Sequence, residues 1–136
     1  MQGDEALGGP PIVVELFVSD LERSIEFYRQ LGFEPEKRWQ DFVILRRGSV
    51  KLTIQGDTHV TAGPHYFTPN IGQKPRGTGV EIVVQVHDVD AEYVRAQRAE
   101  LNIVKPIQNR PWTARDFRVA DPDGYFFRIT SPLTGE

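Results

Sequence analysis

The chain contains no cysteine. That excludes disulfides, thiolate metal sites and cysteine nucleophiles, and it makes a cytoplasmic location the expectation. Histidine is nearly as scarce. There are three, His59, His65 and His87, and no two are spaced as a ligand pair on one helix or strand, so they read as surface residues. No apolar run approaches the roughly 18 residues of a membrane span, so no membrane partner is expected. Met1 to Gly9 has neither a basic start nor an apolar stretch and does not read as a secretory signal. Charge of one sign is not concentrated anywhere: 16 Lys and Arg are interspersed with 19 Asp and Glu, for a formal net charge of −3. No basic footprint for nucleic acid results. A phosphate loop and a Gly-x-Ser-x-Gly elbow are also missing.

What is present is a repeated pattern over 136 residues, a length that suits one domain. Residues 1–11 read as an N-terminal arm, loosened by Gly3, Gly8 and Gly9 and stiffened at its end by Pro10 and Pro11. Ile12–Val18 is a strand with Val14, Leu16 and Val18 on one apolar face and Val13, Glu15 and Phe17 on the other. Ser19 and Glu22 form a capping box for a helix to about Leu31, with Leu21, Ile25 and Tyr28 as its stripe and Gly32 as its stop. Strands follow at 34–39, 42–47 and 50–55, the last two joined at Gly48-Ser49.

Residues 56–78, rich in Pro and Gly, read as a linker or loop. The pattern then recurs over 79–131: a strand at 79–86, a helix opened by His87-Asp88-Val89 with the stripe Val89, Tyr93 and Ala96, Asn102 in place of the stopping glycine, and strands near 103–108, 114–120 and 125–131. Residues 132–136 are a tail. Asp121 and Asp123 lie in the turn Asp-Pro-Asp-Gly, where aspartate has a conformational role, and are not taken as catalytic. The chain is therefore expected to be α+β, with a first βαβββ module at 12–55 and a second at 79–131. Each sheet has a helix on one face only, and the two bare faces are expected to curve around one cavity.

Val18 to Phe33 (VSDLERSIEFYRQLGF) resembles the first-helix signature of the vicinal-oxygen-chelate superfamily, the glyoxalase/bleomycin resistance protein/dioxygenase group. Trp112 to Tyr125 (WTARDFRVADPDGY) resembles the end motif of its glyoxalase/bleomycin-resistance branch. With the repeat, the resemblance covers 12–131. In metal-using members one ligand stands seven residues before the helix-cap aspartate of each half and one on each last strand. The resemblance puts Val13 and Glu81 at the first pair of places, and Lys51 and Arg128 at the second. Valine has no ligand atom, Lys and Arg only donate, and a lone Glu81 does not make a tight site. Neither a metal nor another cofactor is expected, nor glyoxalase I or extradiol dioxygenase chemistry.

The resemblance to bleomycin-resistance-like binding proteins implies an aromatic-lined groove at a homodimer interface. Trp39 and Trp112 are the preferred groove residues, with Phe42, Tyr66, Phe67 and Phe117 adding flat surface. Glu15, Lys51, Glu81 and Arg128 would face the same space, either as mutual ion pairs or as anchors for polar ligand groups. The first reading is metal-independent sequestration of an antibiotic-like, aromatic small molecule, conferring drug resistance and using no catalytic residue. A second is a metal-free lyase or isomerase with Glu15 or Glu81 as general base. A third is an interaction module whose cavity is filled by side chains.

Overall fold

The computed structural model describes residues 9–133. Most of the expected arm and the last residues of the expected tail lie outside that range. Two compact units divide the chain at Ile71/Gly72, inside the segment read as a linker.

The first unit runs β1 (Val14–Val18), α1 (Leu21–Gln30), β2 (Glu34–Trp39), β3 (Phe42–Arg47), β4 (Val50–Gly56) and a short α2 (Thr58–Ala62). Its sheet has the order β1-β4-β3-β2, with β1 parallel to β4 and the other pairs antiparallel. The cap of α1 is Asp20 rather than Ser19: its Oδ1 accepts from Arg23 N at 3.2 Å. Glu22 does not complete a capping box but pairs with Arg38 at 2.7 Å. Gly32 ends the helix as expected, at φ +85°, while Phe33 N reaches back to Tyr28 O at 3.0 Å. Leu16, Val18, Ile25, Tyr28, Val43, Leu45, Leu52 and Ile54 are buried, which makes one parity of each strand the face that α1 covers. The segment after β4 is not wholly irregular. Val60 is fully buried, and that contact supports a turn of helix too short to show a period in the sequence.

The second unit runs β5 (Glu81–Gln85), α3 (Val89–Arg98), β6 (Asn102–Arg110), β7 (Ala114–Ala120) and β8 (Phe126–Pro132), with sheet order β5-β8-β7-β6 and β5 parallel to β8. Asp88 caps α3 as Asp20 caps α1, accepting from Ala91 N at 3.0 Å. The helix stop is Glu100 at φ +57°, not Asn102, which begins β6. Leu101 N bonds to Ala96 O at 3.0 Å, the same closure that Phe33 makes with Tyr28. The core comprises Val84, Val86, Val89, Ala96, Val119, Phe127, Ile129 and Phe117, whose ring lies edge-on to Tyr93 of α3 at 5.0 Å.

The turn between β7 and β8 is a structural clamp. Asp121 Oδ1 accepts from Asp123 N and Tyr125 N, both at 2.9 Å. Asp123 is fully buried and faces Lys74 at 3.6 Å and Arg76 at 3.8 Å. Gly124 has φ +96°, and a Cβ there would stand 2.6 Å from Pro75 Cα.

Candidate functional site

Strand pairing fixes which side chains share the helix-free face of each sheet, because neighbours in register point the same way. In the first unit the pairs Glu15–Thr53, Phe17–Gln55, Phe42–Gln55, Ile44–Thr53 and Arg46–Lys51 lie on it. In the second unit Glu81, Val83 and Gln85 of β5 share it with Phe126, Arg128 and Thr130 of β8 and with Asp116 and Arg118 of β7.

The first face combines aromatic rings with polar and charged side chains. Phe17 packs edge-on against His65 and Phe67, at 5.5 and 5.6 Å between ring centroids. Tyr66 follows against Phe67 at 5.7 Å and is itself 90% exposed. His65 Nδ1 accepts from Phe67 N at 3.0 Å, which fixes how the segment presents its rings. Phe42 is half-buried at the start of β3, opposite the exposed Trp39 at the end of β2. Glu15 is exposed and accepts from Thr53 Oγ1 at 3.1 Å. Lys51 is half-buried across from Arg46.

The second face is charged. Arg128 Nε donates to Glu81 Oε2 at 3.2 Å, and Arg110 Nε donates to Asp116 Oδ1 at 2.8 Å. Arg118 Nε stands between the two carboxylates, 3.8 Å from Asp116 Oδ1 and 4.0 Å from Glu81 Oε2, too far to hydrogen-bond either. Asp116 is fully buried and the Arg110 side chain is 9% exposed. On the opposite, helix-bearing side, Arg115 reaches Asp90 at 2.9 Å, and that hydrogen bond to the carboxylate raises the guanidinium above its ordinary pKa.

Of the residues singled out in the sequence, Glu81 and Arg128 are brought together, and Glu15, Phe42 and Lys51 lie on their unit's helix-free face. Tyr66 and Phe67 join that face's ring cluster through Phe17. Phe117 is a correction: it belongs to the core under α3, because β7 buries Phe117 and Val119 and turns Asp116 and Arg118 the other way. Trp112 is exposed in the turn after β6, and by strand pairing the counterpart of Trp39 in the second unit is Gln108 of β6. The repeat alignment also shifts. Thr53 opposite Glu15 corresponds to Arg128 opposite Val83, and Lys51 corresponds to Phe126. Arg110, Asp116, Arg118, Phe17 and His65 were not singled out. The apolar alternation Phe117-x-Val119 already assigns Asp116 and Arg118 to the other face.

The donor set does not suit a divalent metal. Among the described residues no three His, Asp or Glu side chains converge. Glu81 is held by guanidinium groups, which compete with a cation for its oxygens.

Comparison with known proteins agrees with the architecture. Residues 12–129 match the Glyoxalase/Bleomycin resistance protein/Dioxygenase superfamily. The uncharacterized protein Rv0887c of Mycobacterium tuberculosis is 29% identical over 132 residues, covering 91% of this chain and 75% of its own. TioX from Micromonospora sp. ML1 superposes with a TM-score of 0.67 at 26% identity, over 92% of this chain and 100% of TioX. A bleomycin resistance determinant encoded on transposon Tn5 shares the fold, with a TM-score of 0.67 at 19% identity over 90% of this chain and 98% of its own.

Proposed function

We propose, since this chain belongs to the Glyoxalase/Bleomycin resistance protein/Dioxygenase superfamily, that it is a metal-independent binding protein that sequesters an aromatic, antibiotic-like small molecule and so confers resistance to it. The observation that carries the reading is the ring cluster of half-buried Phe17 with exposed His65, Tyr66 and Phe67 on a sheet face that α1 does not cover. Flat apolar side chains with few rotors hold a planar ligand at low entropic cost. Trp39, exposed by 66%, and Phe42 extend that surface, and Trp112 is exposed by 54% in the second unit. The Tn5 determinant is a protein of the same fold named for resistance to a drug. Homodimer formation and a ligand groove at its interface are part of the proposal, supported by the apolar exposure of Ile12 and Val13 just before edge strand β1 and of Val14 at its start.

The test is a thermal-shift and calorimetric screen of the full chain against bleomycin and a panel of planar antibiotics, with and without chelator. A ligand that binds only the folded state raises Tm with concentration. Stabilisation untouched by chelator and lost in Phe17→Ala or Phe67→Ala supports sequestration. No shift with any planar compound, or a shift that chelator abolishes, overturns it. An enzymatic reading has one feature in its favour: Glu15 is exposed, with a hydroxyl rather than a cation as its hydrogen-bond donor. Turnover of a bound ligand that Glu15→Gln abolishes while binding persists would establish that alternative.

A further inference from the structure

We propose that the helix-free face of the second sheet holds an oxyanion, a carboxylate or a phosphate group, on the fork formed by Arg118 and Arg128. The inference rests on the reading of the chain as a ligand-binding protein and names the chemical class that the second unit takes. Three guanidinium groups share this face with two carboxylates, so one positive charge is left over. Asp116 takes Arg110 and Glu81 takes Arg128, which makes Arg118 the surplus cation. Its Nε is buried and donates to no described group, and Arg110 Nη2 is likewise buried and unused.

Buried donors left without an acceptor are rare and costly, and an anion or an ordered water reaching them would satisfy them. The fork is reachable: the side chains of Arg118 and Arg128 are 19% and 23% exposed. Exposed Lys105 stands opposite Arg118 on β6 and adds positive field. Planar guanidinium groups pair with carboxylate and phosphate oxygens through two parallel hydrogen bonds. Asp116 Oδ2 is buried, unpartnered and an acceptor, so it repels an anion placed deeper. The oxyanion therefore sits on the Arg118–Arg128 side, where it competes with Glu81.

The test is titration calorimetry of the full chain at fixed ionic strength with 2-naphthoate, 2-naphthyl phosphate and neutral 2-naphthamide. The acids should bind about ten-fold or more tighter than the amide, the scale of a charge-assisted hydrogen bond. Which acid binds better separates carboxylate from phosphate. Arg118→Met should remove the advantage with the fold intact by circular dichroism. Glu81→Gln should shift it the other way, tightening the acids several-fold, because it removes the competing carboxylate. Equal binding of all three compounds overturns the oxyanion site and leaves aromatic sequestration standing. If no naphthalene binds but inorganic phosphate raises Tm, and Arg118→Met abolishes that rise, the oxyanion site stands and the aromatic reading fails. Silence from all four probes overturns both.

Discussion

Replacing Asp116 with alanine is expected to be the most destabilising single change on the helix-free face of the second sheet. Asp116 is fully buried, its Oδ1 accepts from Arg110 Nε at 2.8 Å, and the Arg110 side chain is 9% exposed. Alanine leaves a charged guanidinium in the interior with no counter-charge. Removing one member of a buried pair costs about 3–5 kcal/mol, because desolvation of the survivor is no longer offset. That cost is not the net worth of the pair. The double variant Arg110→Met/Asp116→Leu removes both charges and both desolvation terms, and it should return to within about 1–2 kcal/mol of the parent. Arg118 loses one neighbour in the double variant but keeps Glu81 at 4.0 Å and partial access to water, so its contribution to the difference is at most about 1 kcal/mol. Urea unfolding followed by far-ultraviolet circular dichroism gives both numbers, provided the slope with denaturant stays constant. A loss below about 1 kcal/mol for Asp116→Ala would refute the buried-pair argument, and so would a double variant less stable than the single.

Phe117→Ala should cost about 3–5 kcal/mol as a core truncation, whereas Trp112→Ala in an exposed turn should stay within about 0.5 kcal/mol; equal losses in the same urea assay would place Phe117 outside the core. Gly48→Ala should cost about 1–2 kcal/mol from its positive φ alone. Gly124→Ala should cost clearly more, because its Cβ would also meet the Pro75 backbone at 2.6 Å; matching shifts in thermal melts would contradict the clamp. Asp20→Ala and Asp88→Ala should each lose about 1 kcal/mol of stability as N-caps. A neutral result for Asp20 would return the cap to Ser19.

Local periodicity carried most of the fold. The stripe Leu21, Ile25 and Tyr28, the stop at Gly32 and the turns at Gly48 and Gly124 are short-range signals, and the structure uses each of them. The alternation in β1 assigned Leu16 and Val18 to the covered face for the same reason. Failures came where distant strands set the outcome. Bulges between Pro35 and Lys37 in β2, and on either side of Lys105 in β6, break the register of the outer strands without a mark in the sequence. The two halves also align differently from what the resemblance implied, because the pairing of β1 with β4 and of β5 with β8 puts Thr53, not Lys51, at the place of Arg128. Arg110, Asp116 and Arg118 share one β6–β7 hairpin, but Arg128 and Glu81 join them only because β8 lies between β7 and β5, which no window of the sequence contains. The α2 turn was hidden because five residues hold no period.

Pairing register also makes the two units comparable position by position, and the comparison bears on function. Leu16 and Val84, Val18 and Val86, Val43 and Phe117, Leu45 and Val119, Leu52 and Phe127, and Ile54 with its counterpart Ile129 occupy equivalent covered positions, and every one is apolar. Packing under a helix tolerates a change of size better than a change of polarity. On the helix-free parity the same bookkeeping gives Phe42 against Asp116, Ile44 against Arg118 and Thr53 against Arg128. At these three positions the second unit is the charged one, whereas at Glu15 against Val83 and Lys51 against Phe126 the first unit is. Folding does not demand that difference, since the covered faces already supply each unit's core. Burying Asp116 and Arg110 there works against stability, because the desolvation of a buried ion pair is only partly offset by its attraction. A face that keeps such groups where apolar ones would pack at least as well is consistent with the oxyanion site proposed on Arg118 and Arg128.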